Sequence, residues 1–215
     1  MNQHKYQAVI FDLDGVITDT AHYHYLAWKE LAESQGVVFD RAFNEQLKGI
    51  DRTGSLNLIL ASSGKQYSNQ RKQELADQKN LRYQQLISGM STADLLPGAV
   101  QALRAVRAAG LKTGLASVSK NAFTVLDKLG IGDMFDYVVD AAKIANSKPD
   151  PEIFLTAAKR LHVAPALCLG VEDSVAGIRS IKAAGMYALG IGQPSILTQA
   201  DKVIPSLADF SLGDY

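Results

Sequence analysis

Two hydrophobic periods alternate along most of the chain. Residues 8–11 form an unbroken apolar run that stops at Asp12 and Asp14, two carboxylates two positions apart, followed by Gly15. Such a run reads as a buried strand with a site at its carboxyl end. Downstream of Pro97, strand and helix patterns take turns. Val100, Leu103 and Val106 mark a helix face that Gly110 closes, and residues 111–116 read as a strand. Ala122, Val125, Leu126 and Leu129 recur at helical spacing before Gly130, then 137–139 form a short apolar strand. Ile153, Ala157 and Leu161 predict a helix and 167–171 a strand. Val175, Ile178 and Ile181 predict a helix ended by Gly185, and 187–191 a last strand. This alternation predicts an α/β fold with a Rossmann-like, doubly wound parallel sheet.

Residues from about 21 to 90 break the alternation. Tyr25, Trp28, Leu31 and Ala32 form one helical stripe, Leu56, Ile59 and Leu60 another, and 72–87 is polar and helix-favouring. No strand pattern interrupts them. An inserted α-helical cap is therefore expected over 18–92, with the α/β core built from 1–17 and 93–215. Its joints fall near 17–20 and 91–96, where a hinge would let the cap exclude water from the carboxylates.

Composition narrows the class. The 215 residues are 47% apolar and 20% charged, and 22 basic residues balance 22 acidic ones. That balance gives no nucleic-acid footprint, and no run approaches membrane-spanning length. Phosphate recognition must come from a few placed side chains. The lone cysteine, Cys168, lies in an apolar run and reads as a buried thiol. With no apolar leader segment before the first strand, a cytosolic protein is expected. His4, His22 and His162 read as structural or solvated.

The strand ends carry the chemistry. Ser117 ends one strand, and Val118, Ser119, Lys120 and Asn121 open the next helix, where hydroxyls and free amides suit a phosphate. Taken alone, Ser119 or Asn121 reads as an N-cap before it reads as a phosphate ligand. Lys148 sits between Ser147 and Pro149 on a proline-stiffened loop, either as a phosphate-neutralising cation or as a solvated side chain. Glu172 and Asp173 end a further strand. Four carboxylates at one sheet edge repel one another without a cation, and hard oxygen ligands point to Mg²⁺.

These segments resemble the haloacid dehalogenase superfamily of phosphoryl-transfer enzymes. Asp12-Leu13-Asp14-Gly15-Val16 is similar to its first motif, Ser117 to its second, Lys148 to its third and Glu172-Asp173 to its fourth. The opening from Asp12 to Ala21, then Tyr23-His24 and Trp28, further resembles the β-phosphoglucomutase family. So does the stretch from Phe43 to Ile50 with Lys48, Arg52 and Ser55. One departure is Thr53-Gly54, where that family usually has an acidic residue; the glycine is expected to loosen the start of the following helix.

The resemblance implies roles. Asp12 is the nucleophile that becomes an aspartyl phosphate, and Asp14 is the acid/base for the sugar hydroxyls. Asp12, the backbone carbonyl of Asp14, and Asp173 hold Mg²⁺, with Glu172 in or beside the shell. Ser117 and Lys148 bind the transferring phosphoryl group. Ser119, Lys120, Asn121 and Arg52, the last taken as an exposed cap-loop residue, grip the other phosphate. Thr20, Trp28, Gly49, Ile50, Ser55 and Val118 border the sugar, as does Lys79 unless it is a solvated helix lysine. His24 assists proton positioning from near the hinge, within reach of Asp14 or Lys79. The implied reaction converts β-D-glucose 1-phosphate to D-glucose 6-phosphate through β-D-glucose 1,6-bisphosphate, carried out by a cytosolic monomer on a small phosphorylated sugar. A sugar-phosphate or phosphoglycolate phosphatase shares the core motifs. A signalling receiver domain shares the acidic edge but needs neither the helical insertion nor a second phosphate site.

Overall fold

The computed structural model describes residues 5–47 and 49–215; His4 and Lys48, both named above, lie outside them. Six parallel strands form one sheet: β1 (Ala8–Phe11), β2 (Lys112–Leu115), β3 (Tyr137–Val138), β4 (Cys168–Glu172), β5 (Tyr187–Ile191) and β6 (Lys202–Ile204). Their spatial order is β3-β2-β1-β4-β5-β6. Phe11 pairs with Leu115 on one side and Val171 on the other. The chain winds outward from β1 in one direction, then returns to β1 and winds the other way. The order therefore reverses between β1 and β4, which is where open sheets of this kind leave a crevice at their carboxyl edge.

The strands are apolar on both faces because both are covered. Val9 and Phe11 point into a core shared with α5 (Ala99–Ala108) and α6 (Ala122–Leu129). Ala8 and Ile10 point into the opposite core, against α7 (Glu152–Leu161) and α8 (Val175–Ala183). Period-2 side-chain alternation thus feeds a hydrophobic layer on each face of β1. Cys168 is fully buried in the second layer.

Between β1 and α5 lie four helices, α1 (Ala21–Ser34), α2 (Arg41–Glu45), α3 (Arg52–Ala61) and α4 (Asn69–Ile87). Trp28, Leu31, Leu56, Ile59 and Leu75 close a third, separate core among them. Two chain crossings join these helices to the sheet, and they are tied to each other. Leu96 donates its amide to the Ile17 carbonyl at 2.9 Å, and Thr18 Oγ1 donates to the Asp94 carbonyl at 2.7 Å. A paired two-strand connection bends as a unit, which suits a hinge. No described helix is long and apolar enough to cross a membrane.

The helical and strand patterns hold, with four adjustments. Val100 is only half-buried, so the inward stripe of α5 runs through Ala99, Ala102, Leu103 and Val106. Val175 is 39% exposed, which leaves the α8 stripe to Ile178 and Ile181. Tyr25 is half-buried and packs on the rim of the cap core. β6, three residues on the sheet edge, had no legible period.

Candidate active site

Asp12 follows directly on β1, and its amide still pairs with the Val171 carbonyl at 2.9 Å. That bond sets Asp12 beside Glu172 at the reversal of strand order. Lys148 reaches the same point from the loop before α7 and is 3% exposed. Its ammonium donates to Asp12 Oδ1 and to Glu172 Oε2, each at 2.7 Å. Burial by itself would lower the lysine's pKa, but the Asp12 charge and then the Glu172 charge hold it above the usual value. The solvated reading of Lys148 is therefore set aside.

Glu172 is fully engaged. Its Oε1 accepts from the Ser174 hydroxyl at 2.8 Å and from the Ser174 and Asp173 amides at 3.0 and 3.2 Å. Ser174 in turn caps α8, accepting from the Gly177 amide at 3.0 Å. One carboxylate thus ties the turn after β4 to Lys148. Gly177 makes room for it: a methyl group there would overlap the Glu172 carboxyl. Gly177→Ala should cost about 1–3 kcal/mol through overpacking, lowering the melting temperature by roughly 2–12 °C, and should reduce turnover because Lys148 loses its anchor. A melting curve and turnover equal to the parent's would show that Glu172 has space to move.

Asp12, Glu172 and Asp173 each present a carboxylate oxygen within 4.8 Å of the others. An all-oxygen donor set of this charge fits a hard divalent cation. The side chain of Asp14 is not in that cluster. Asp14 instead accepts from the Thr20 hydroxyl at the N-cap of α1. Burial, then the charge of Glu172, pushes the Asp12 carboxyl up to about 7 against the pull of Lys148. Burial, then the charge of Asp12, pushes Asp14 up to about 8. Two neighbouring carboxyls of unequal surroundings are the setting in which one serves as a base or nucleophile and the other as an acid.

The helical layer closes over these groups and leaves a cavity of about 110 Å³. His24, Trp28, Gly49, Ile50, Arg52, Ser55 and Lys79 line it from above, and Val118, Ser119, Lys120 and Asn121 from below. Thr20 and Ser117 are both buried and do not line it, and Ser117 Oγ accepts from the Ser119 amide at 3.2 Å. Gly49 has φ +74°, and a side chain there would meet the Ser174 hydroxyl at 2.9 Å. The cap loop therefore touches the turn that carries Glu172 and Asp173.

Lys79 is 3% exposed, not a solvated helix lysine. It shares a hydrogen bond of 2.8 Å with His24 Nδ1 and stands 4.5 Å from the Trp28 ring centroid. His24 stacks on Tyr83 at 4.1 Å, and no hydrogen bond joins it to Asp14 among the described contacts. Burial and then the Lys79 charge keep the imidazole below its usual pKa. Burial, then the Arg52 charge, pulls Lys79 down to about 7.

Three expectations change here. Arg52 is the first residue of α3, half-buried, and donates to Asn80 Oδ1 at 2.7 Å; it is not an exposed loop residue. Gly54 does not loosen α3: its amide is capped by Asp51 Oδ1 at 2.7 Å, and a side chain at this position would meet Ile50 at 2.6 Å. Asn121 occupies the N-cap of α6 but makes no side-chain cap bond. Its amide turns toward the cap, donating to Asn80 Oδ1 at 2.9 Å and accepting from Gln84 at 3.2 Å. Asn80 and Gln84 were not singled out by sequence, since amides in a polar helix carry no period. Ser147 was also passed over as a binding group. Its hydroxyl accepts from the Asp51 amide at 3.0 Å, a third bond between core and cap.

Comparison with known proteins agrees with this geometry. The family model described as haloacid dehalogenase-like hydrolase matches residues 6–185. The β-phosphoglucomutase of Bacillus subtilis (strain 168) is 51% identical over 208 residues, covering 96% of this chain and 92% of that protein. A phosphorylated carbohydrates phosphatase of Thermotoga maritima is 31% identical over 183 residues, covering 84% and 82%. The crystal structure of a β-phosphoglucomutase from Clostridium difficile superimposes with a TM-score of 0.95 at 46% identity, covering 97% of this chain and 95% of that one.

Proposed function

This chain belongs to the haloacid dehalogenase-like hydrolase family, and from that premise we propose that it is an isomerase, interconverting β-D-glucose 1-phosphate and D-glucose 6-phosphate. The observation that carries this reading is a second polar and cationic group on the cavity, for which the phosphoryl-transfer end has no need. Lys148 stands beside Asp12 as the first end, and Arg52, Lys120 and Asn121 line the same cavity as the second, Arg52 and Asn121 sharing Asn80. A phosphatase needs only the first end. A mutase whose intermediate carries two phosphates needs both.

Asp12 attacks the phosphoryl group of β-D-glucose 1,6-bisphosphate, and the bond from phosphorus to the sugar oxygen breaks. Lys148 occupies Oδ1 of Asp12, so attack falls to the other carboxylate oxygen. The leaving sugar oxygen takes a proton from Asp14. In the other half-reaction Asp14 removes the proton from the C6 hydroxyl of β-D-glucose 1-phosphate as that hydroxyl attacks the aspartyl phosphate, and the bisphosphate so formed reverses before its C1 phosphoryl group passes back to Asp12 and D-glucose 6-phosphate leaves. Ser117 and Lys148 hold the moving phosphoryl group. Arg52, Ser119, Lys120 and Asn121 hold the resting one. His24 and Lys79 orient the sugar against Trp28. Mg²⁺ at Asp12, Asp173 and the Asp14 carbonyl, with Glu172 beside it, would neutralise phosphoryl charge, as expected where positioning and electrostatics dominate. Residues 18–92 move as a cap on a core of 1–17 and 93–215. The lone buried thiol fits a cytosolic protein, and the balanced charge fits a small sugar phosphate as its partner.

A coupled assay on both anomers of glucose 1-phosphate, with and without the bisphosphate, tests the reading. Turnover of the β anomer alone, primed by bisphosphate, is expected; bisphosphate that is merely hydrolysed would make the protein a phosphatase. Arg52→Ala sharpens the test. A charge-assisted contact is worth roughly 1.5–3 kcal/mol, so isomerisation should fall by about one to two orders of magnitude. Hydrolysis of acetyl phosphate, which has no second phosphate, should fall much less. Equal losses would place Arg52 in general lid closure instead.

A further inference from the structure

We propose that Asn80 couples closure of the cap to the grip on the non-reacting phosphate, and thereby sets the balance between isomerisation and loss of the phosphoryl group to water. The inference rests on the mutase reading above. Asn80 does not line the cavity, so it acts through other groups as a positioning residue. Its Oδ1 accepts from two donors that come from opposite sides of the cleft. One is the Arg52 guanidinium of the cap at 2.7 Å, and the other is the Asn121 amide of the core at 2.9 Å.

The Asn121 side reinforces this. An N-cap amide ordinarily accepts from its own helix, which this one does not. It is held by α4 instead, through Asn80 and, four residues on, Gln84. Two side chains one helical turn apart on the cap therefore clasp one core side chain. The Arg52 side follows from guanidinium geometry. A planar fork with several donors is oriented by fixing one of them, which leaves the others set for phosphate. Opening the cleft separates α4 from α6, so the bond from Asn121 to Asn80 must break, and Arg52 leaves the core with the cap. Closed cap, oriented Arg52 and oriented Asn121 thus become one state. The aspartyl phosphate is exposed to water whenever that state is lost, and this is where hydrolysis would compete with return to the sugar.

The test is a double-mutant cycle with Asn80→Ala and Asn121→Ala. Asn80 is a half-buried helix position where alanine favours the helix, so the fold is retained. Three readouts are taken: kcat and KM for bisphosphate-primed isomerisation, the fraction of bisphosphate lost to hydrolysis, and binding of glucose 6-phosphate. Trp28, the only tryptophan, lines the cavity and reports that binding by fluorescence. Asn80→Ala is expected to raise KM and the glucose 6-phosphate Kd about tenfold and to increase the hydrolysed fraction several-fold. Acetyl phosphate hydrolysis should change far less. The double variant should be little worse than the poorer single one, because both remove the same clasp. Losses that multiply, to about a hundredfold in the double variant, would overturn the coupling, as would an equal fall in isomerisation and acetyl phosphate hydrolysis. A parent protein that fails to isomerise would sink the mutase reading alone, since the fluorescence cycle still reports whether Asn80 and Asn121 act together.

Discussion

Asp12→Asn should remove turnover altogether, by about 10⁶-fold if it follows the scale of losing a covalent nucleophile. An amide has no anionic oxygen to attack phosphorus, and it is a weaker ligand for a hard cation. The fold should survive. Asp12 is a buried acid whose charge is opposed by burial and by Glu172, and Lys148 keeps Glu172 as a partner when Asp12 is neutralised. The expected result is therefore an inactive, well-folded protein that gives no acid-stable, hydroxylamine-sensitive phosphate label after exposure to the bisphosphate. Stoichiometric labelling of the variant would move the nucleophile to another carboxylate.

Asp14→Asn should also abolish isomerisation, but for a different reason, and with the phosphate sites intact. Burial and the Asp12 charge hold the Asp14 carboxyl at about 8, so near neutrality it carries the proton that a leaving sugar oxygen needs. Asparagine keeps the shape and can still accept from the Thr20 hydroxyl, yet it has no proton to transfer. Loss of a general acid costs about 10²–10⁴-fold. Binding of glucose 6-phosphate, read from Trp28 fluorescence, should stay within about threefold, since the 1.4 kcal/mol that would make tenfold belongs to contacts Asp14 does not make with phosphate. Near-normal turnover would assign the proton elsewhere, with the His24 and Lys79 pair the next candidate. The two variants together separate nucleophile from acid: one cannot be phosphorylated, the other is phosphorylated only by a donor whose leaving group needs no proton.

The core was legible because each of its elements buries a periodic stripe. The runs ending at Phe11 and Val171 are apolar on both faces, as a covered parallel strand requires, and the carboxylates that follow them could only lie at the sheet's carboxyl edge, whereas the strand ending at Leu115 opens with Lys112 and Thr113 and is followed by the hydroxyl of Ser117. That reasoning places Asp12, Ser117 and Glu172 from sequence, and the order of the strands then puts Asp12 and Glu172 side by side. The helical insertion was legible for the same reason, through stripes such as Leu56, Ile59 and Leu60.

The sequence by itself determined the strands from β1 to β5, the main helices, and which strand ends carry acids and a hydroxyl; these are local properties set by side-chain period and turn chemistry. Only the tertiary structure decided how the polar groups are partnered. Lys148 could have been solvated, and burial between Asp12 and Glu172 settles it. Asn121 could have capped its own helix, and the approach of α4 turns it to Asn80 instead. Arg52 and Lys79 gain their partners from other cap helices remote in sequence, and Ser147 gains its partner across the cleft between cap and core. Hydrogen bonds depend on ångström-scale distance and direction, and no pattern along one chain encodes where two separately folded layers will meet.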